Sequence, residues 1–533
     1  MTIENLLLQL VSVQSDTGTA LECNMARKLY ELILAEPYFA AHPDHCGLHH
    51  SDDILGRPVV WALRMASGAK TVVLMGHYDA VEIDSYGALK PYALNPAELK
   101  ARMKSTGNFS AAVMADLDDQ QWLFGRGTAD MKAGLAINLH TLFTQGNDAV
   151  NLLFIAVPDE ENLSAGALAA VSLYQELQAR FGLAYRLCLI SEPQFRSPEK
   201  AVQLIEGSMG KVLAMIVAKG ILAHSAEVLK GLNAGLILAE VIRHLELNSD
   251  FISEDQGVVS QPPTVLFFKD LKETYDVSIP EYSVAGFNIL FLKSRSPAEL
   301  MASLEAACRQ AVDAVMARYG RAWAVQEKKG GLDPRDQHHF LPLVLTLAEL
   351  ETRLEDTRPD FITQRESLNR RLEEKVRAQE ISLHAASSHY MKALLEISGI
   401  TQPVVLIGIA PPYYPAVSNR WIDKDIEYCL DGLSGLLRDS VGQGTRRLAS
   451  LCSMTDMSYI SCSDPQRERA FLDNLTLPAS IYDIPVEAIA ALNIPALMIG
   501  PAGRDVHQVG ERVYLPDVTR HIPALFELII NRV

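Results

Sequence analysis

No apolar run in the 533 residues approaches the ~18 residues that a membrane-spanning helix needs, so a helical membrane protein is not expected. The opening Met1-Thr-Ile-Glu-Asn5 carries no basic stretch ahead of its apolar residues and does not read as a secretory leader. There is no C-x-x-C pair. The seven cysteines are dispersed at 23, 46, 188, 308, 429, 452 and 462, and an odd, scattered set reads as reduced thiols of a cytoplasmic protein, most of them small core residues. Basic residues are in deficit: 48 Lys and Arg against 65 Asp and Glu leave a formal charge of −17, which argues against nucleic acid or an anionic membrane as partner. No internal repeat or low-complexity tract is present. With 48% hydrophobic and 21% charged residues, the composition excludes disorder as the main state.

At roughly 150 residues per domain the length implies two to four domains. Residues 2–40 carry helical apolar stripes (Leu6, Leu7, Leu10, Val11, then Met25, Leu29, Leu32, Ile33), broken at 15–18. Continuous apolar runs follow at 71–75, 151–157, 186–190, 404–409 and 495–499. Such runs fit strands buried on both faces, and helical patterns at 131–143 and 165–180 lie between them. This is the α/β pattern: a mostly parallel central sheet flanked by helices. The middle differs. A strand at 211–218, a helix at 233–247, strands at 265–269 and 286–293 and a helix at 297–319 describe a smaller α+β domain inserted into the larger one. Residues 335–398 read as mainly helical, and the charged run 369–377 as a solvated helix face. The expected division is therefore a discontinuous domain of residues 1–206 and 400–533, an inserted domain at 207–330, and a helical extension of it at 331–399.

Open α/β sheets place their sites at the carboxyl ends of strands. After the run at 71–75 come His77 and Asp79; after 151–157, Glu160 and Glu161; after 186–190, Glu192; after 495–499, a loop leading to His507; and Asp130 opens the helix behind Gly125-Arg-Gly127. Any one of these could be a cap or turn residue. Five metal-ligand types in five such places form a pattern. Two imidazoles (His77, His507) and three carboxylates (Asp130, Glu161, Glu192) would leave two Zn²⁺ with one net positive charge, enough to acidify bound water. Glu160, beside a ligand, is placed to take that proton. Asp79, two residues from His77, is placed to accept the second imidazole N–H.

The stretches 76–81 (GHYDAV), 125–134 (GRGTADMKAG), 157–162 (VPDEEN), 191–193 (SEP), 220–234 (GILAHSAEVLKGLNA) and 500–511 (GPAGRDVHQVGE) resemble, in order and across nearly the whole chain, the di-zinc exopeptidases and amidohydrolases of peptidase family M20. Residues 410–415 and 453–459 resemble its arginine-utilisation branch. The resemblance implies a hydrolase-like catalytic domain with an inserted lid or dimerisation domain. It implies that His77 and Glu192 hold one zinc, Glu161 and His507 the other, and Asp130 both, through a cis bond to Met131. Glu160 would be base and then acid for a metal-bridging hydroxide, and His224 would stabilise the oxyanion. The implied activity is cleavage of an amide or peptide bond in a small N-acyl amino acid or short peptide, in amino-acid or arginine catabolism. Mn²⁺ and Co²⁺ suit the same ligands. A homodimer follows if the inserted domain pairs edge to edge across a two-fold axis.

Three features depart from the family pattern. The stretch 82–124, with Tyr86, Lys90 and Tyr92, is long; it reads either as a pocket-shaping element or as a plain surface insertion. In place of the family's Asp-x-Arg lid motif stand Asn288 and Arg295, offered as holders of a substrate carboxylate. The helical stretch 335–398 is extended. Asp456 reads as a pocket acid or a turn residue, and His338-His339 as loop residues. The competing reading is a non-catalytic metal- or amino-acid-binding regulatory protein on the same fold.

Overall fold

A computed structural model describes residues 1–146, 149–331, 338–422, 425–451 and 453–533. Two compact units emerge: Met1–Ser208 with Val417–Ser463 and Glu487–Val533, and Met209–Ala416 with Asp464–Val486. No helix among the described residues is long and apolar enough to cross a membrane.

Among the described residues the first unit is built on an eight-stranded sheet. Its centre is parallel: Asn151–Val157 pairs with Lys70–His77, which pairs with Ala184–Ile190, which pairs with Ala496–Met498. These are the continuous apolar runs, and burial on both faces is why they lack alternation. Asn151–Val157 is buried along its whole length. The register aligns Met75 with Ile155 and Ile190. The residues just past three strands therefore emerge at one end of the sheet. Helices Ile3–Val11, Ala133–Thr144 and Ile522–Ile530 pack apolar faces into a shared core with Leu74, Phe154 and Leu189.

The second unit carries a five-stranded sheet in the order Thr264–Asp270, Tyr282–Phe291, Gly210–Lys219, Val404–Tyr414, Leu343–Thr346. Two features differ from the sequence expectation. The run at 404–409, assigned above to the larger sheet, lies here as the strand Val404–Tyr414, antiparallel to Gly210–Lys219, with Leu406 opposite Val217. A fully buried apolar run looks the same in either setting, so periodicity could not decide its sheet. Residues 464–486 return to this unit as well. The stretch read as helical contains helices Leu347–Thr357, Phe361–Arg377 and Leu383–Ser398, but also the short strand Leu343–Thr346. Thr346 ends that strand and opens the next helix through a capping box with Glu349.

Residues 82–124 are not a loose surface loop. A turn at Asp84–Tyr92, helices Pro96–Thr106 and Ala111–Asp118 and the strand Trp122–Phe124 enclose a small core of Ile83, Tyr86, Leu99, Met103, Leu117 and Phe124. Cys23 is half-buried and Cys46, Cys188, Cys308 and Cys429 are buried, all four of the latter as free thiols; Cys462 is buried too, and Cys452 lies outside the described residues. His338 and His339 stand in exposed coil.

The first unit is locked by a buried pair. Asp517 accepts from Arg196 Nη2 at 2.5 Å and from the Ala502 N–H at 2.8 Å, and faces His521 Nδ1 at 2.7 Å. Asp517→Leu leaves a buried guanidinium unpaired and is expected to cost about 3–5 kcal/mol. Urea unfolding of the first unit should begin at correspondingly lower concentration, and an unmoved transition would show that the pair carries no stability.

Candidate metal centre

The five sequence-predicted ligands converge. His77 ends its strand with Nε2 2.9 Å from Asp130 Oδ1 and 3.7 Å from Glu192 Oε1. His507 Nε2 lies 2.7 Å from Glu161 Oε1 and 3.4 Å from the other Asp130 oxygen, Oδ2. Asp130 thus turns one oxygen toward each imidazole. Donor atoms of His77, Asp130 and Glu161 lie within 4.8 Å of one another, as do those of His77, Glu160 and Glu192. The Asp130–Met131 bond is cis. Nitrogen and oxygen donors without thiolate, with one carboxylate shared between two imidazoles, fit a pair of divalent cations.

Asp79 does more than the sequence reading gave it. His77 Nδ1 bonds to the Asp79 carbonyl at 3.1 Å, with the carboxylate 3.4 Å away. The carboxylate itself accepts from Thr17 Oγ1 at 2.7 Å and from the N–H groups of Glu160 and Glu161, both at 3.2 Å. One residue therefore fixes an imidazole, through its carbonyl, and the backbone of the two acidic residues opposite it, through its carboxylate.

Beneath that loop is a network that sequence reasoning missed. Arg57 donates to Asp159 at 2.5 Å, Glu22 at 2.8 Å and Asp53 at 2.7 Å, and Glu22 accepts from the Asp159 N–H at 3.0 Å. Asp159 has φ 70°, a left-handed conformation that Asp tolerates better than most residues. Its carbonyl and carboxylate accept from the N–H groups of Ser164 and Ala165. These contacts set the turn from which Glu160 and Glu161 project. The only available signals were the charge of Arg57 and its spacing from Asp53, four residues before it, since Glu22 and Asp159 are 35 and 102 residues away.

The Glu192 loop is gripped from both sides by glycines. A Cβ on Gly134 would sit 2.3 Å from the Ser191 carbonyl oxygen, and one on Gly500 would sit 2.1 Å from that of Glu192. Only a residue without a side chain allows both approaches.

Charge crowding dominates the electrostatics. Burial opposes a charge on His77, but Glu192, Asp130 and Asp79 hold its proton affinity well above that of a free imidazole. Hydrogen bonds to Asp130 and Glu161 push His507 up to about 10. Burial outweighs the pull of His77 on Glu160, and together with Glu192 and Asp456 raises its carboxyl well above the usual range. Asp130 is buried too, yet its two imidazole partners hold it low.

The remaining predicted residues are placed differently. Asp456 belongs to the first unit; burial pushes it up to about 7, and its Oδ1 is buried without a hydrogen-bond partner. The other three belong to the second unit. His224 is exposed and caps a short turn, its Nδ1 accepting from the Ala226 N–H at 3.1 Å. Asn288 lies within the strand Tyr282–Phe291, opposite Leu213 and Thr264. Arg295, offered as a carboxylate holder, spends its guanidinium on the Asp250 carbonyl at 2.8 Å and Ser303 Oγ at 2.7 Å.

Comparison with known proteins agrees with this geometry. Residues 73–340 match the model of peptidase family M20/M25/M40. The chain is 34% identical to the uncharacterised Bacillus subtilis protein YqjN, over 99% of this chain and 95% of that one. It is 27% identical to the Bacillus subtilis protein RocB, over 98% and 94%. Among solved structures, aminopeptidase PepT from Bacillus cereus aligns over 99% of this chain and 97% of its own, at 14% identity and a TM-score of 0.51, which speaks to the fold alone.

Asp79→Ala removes the carboxylate that anchors the acidic pair and lies 3.4 Å from the imidazole, while the main-chain carbonyl bond to His77 Nδ1 remains. Zinc affinity, read by competition with a chromophoric chelator, should fall about 10–100-fold. An unchanged affinity would mean that the ligands are held by their strands alone.

Proposed function

We propose a function on one premise: this chain belongs to peptidase family M20/M25/M40 and is a hydrolase of peptide or amide bonds. The proposal is a metal-dependent amidohydrolase or exopeptidase acting on a small N-acyl amino acid or short peptide. The observation that carries it is Asp130, whose two carboxylate oxygens face His77 and His507 separately while Glu160 lies half-buried beside His77 and Glu192. Two divalent cations, zinc foremost, held by His77 and Glu192, by Glu161 and His507, and by Asp130 in common, would supply Lewis acidity toward the carbonyl and lower the pKa of water.

The chain's own part is proton management and positioning. A carboxyl with raised proton affinity is a strong enough base to take a proton from water near neutral pH and a strong enough acid to pass it on. Glu160 is that group. It accepts a proton as water attacks the carbonyl carbon and gives it to the departing amine nitrogen as the C–N bond breaks. Its own N–H is fixed by Asp79, so its carboxyl starts from a set backbone position. Partial burial limits the bulk water that would otherwise level its basicity.

The similarity to RocB and the motif resemblance to the arginine-utilisation branch support a place in amino-acid catabolism. The free, dispersed thiols support a reducing, cytoplasmic setting.

The test combines elemental analysis with hydrolysis of a panel of N-acyl amino acids and dipeptides, on wild type and Glu160→Gln. Wild type should hold two divalent ions per chain and turn over part of the panel. Glu160→Gln should keep its metal while kcat falls about 10²–10⁴-fold. A wild type that takes up no divalent metal under any loading condition would sink the hydrolase mechanism and leave a binding protein on this fold.

A further inference from the structure

Behind Asp130 lies a buried ion pair with no ligand role in the reading above. Arg126 Nη1 donates to Glu511 Oε2 at 2.5 Å, and both side chains are at most 2% exposed. The other carboxylate oxygen of Glu511 accepts from the N–H groups of Ala129 at 3.2 Å and Asp130 at 3.4 Å. The rest of the guanidinium reaches two further places. Nη2 donates to the His507 carbonyl at 3.3 Å and to Ser85 Oγ at 3.0 Å, and Nε donates to the Glu82 carbonyl at 3.3 Å. Its face lies 5.1 Å from the centre of the Tyr86 ring. The main chain follows the same route, with Arg126 N–H bonded to the Ala93 carbonyl and Gly125 N–H to that of Glu511.

One guanidinium therefore joins three parts of the first unit: the backbone at Asp130 through Glu511, the backbone at His507, and the folded segment 82–124. That segment has its own apolar core, and its strand Trp122–Phe124 pairs with Arg512–Tyr514, just past Glu511. A buried ion pair adds little net stability. What this one adds is geometry, because its hydrogen bonds end on the main chain of two ligand-bearing loops. We propose that the segment 82–124 is a positioning element for the metal centre. Its packing fixes Arg126, and Arg126 with Glu511 fixes how far apart Asp130 and His507 stand. Arg126, Glu511, Ser85 and Tyr86 are positioning residues; none touches a reacting atom. The inference rests on reading His77, Asp130, Glu161, Glu192 and His507 as metal ligands.

The test uses the full chain as wild type, as Glu511→Gln, and as the double variant Ser85→Ala/Tyr86→Leu, which releases the segment's grip on Arg126 and alters no ligand. Three quantities are read: zinc affinity by chelator competition, the visible absorption of the cobalt-loaded protein, and the thermal midpoint of the metal-free protein. The double variant should bind the weaker of two zinc ions about 10-fold less tightly, as loss of outer-shell partners does. Its cobalt bands should shift, and its affinity should fall further than in Ile529→Ala, a core change in the helix Ile522–Ile530 that lowers the metal-free midpoint by cavity formation. Glu511→Gln should move affinity and spectrum the same way. If the double variant keeps wild-type affinity and spectrum, the segment positions nothing and the inference falls, whatever Glu511→Gln does. Loss of affinity only in step with a lowered metal-free midpoint would also overturn it, since that is general destabilisation. A wild type without metal sinks the ligand reading itself, and is thereby told apart from failure of the positioning role.

Discussion

A single carboxylate, that of Asp130, stands between two imidazoles with one oxygen for each, and the surrounding acids are held close to both. Buried carboxylates repel one another and resist desolvation, so this crowding persists only if every loop that carries one is restrained from behind. The first unit meets that constraint loop by loop. Asp79 ties down the turn bearing Glu160 and Glu161, Arg57 and Glu22 brace the same turn from below, and close glycine approaches wedge the loop of Glu192. The parallel register brings the strand ends to one edge, and the side-chain network then fixes where each acid points.

Much of this was readable beforehand because the residues that matter follow long apolar runs. His77 ends, and Glu160, Glu161, Glu192 and His507 sit past, strands whose continuous hydrophobicity marks the middle of a sheet. The inserted unit was legible from its alternation of strand and helix patterns. The strand Val404–Tyr414 was not, because burial in either sheet demands the same residues. The segment 82–124 escaped for the opposite reason. Its helices Pro96–Thr106 and Ala111–Asp118 are short and only weakly amphipathic, and their core forms from residues that mean little until folded together.

The braces were the least legible layer. Arg57 with Asp159, Arg126 with Glu511 and Thr17 with Asp79 join residues separated by 102, 385 and 62 positions. No local pattern announces such a pair, because its only sequence mark is a charge or hydroxyl among many. Arg295 is a case where spacing alone said nothing of the local partners. It was offered as a holder of a substrate carboxylate, and its guanidinium meets the Asp250 carbonyl and Ser303 Oγ.

The chain passes between the two units four times, leaving the first at Ser208 and returning to it for the last time at Glu487. Synthesis runs from the amino end, at about 5–20 residues per second. The second unit has all its residues once Val486 is made. The first still lacks the strand Ala496–Met498, His507 and Glu511 at that moment. On the ribosome, then, the inserted unit can close while its host waits, with four of the five converging side chains made and the fifth, His507, yet to come. For the last stretch of translation the acids of the first unit are without the strand and the buried pair that complete their restraint.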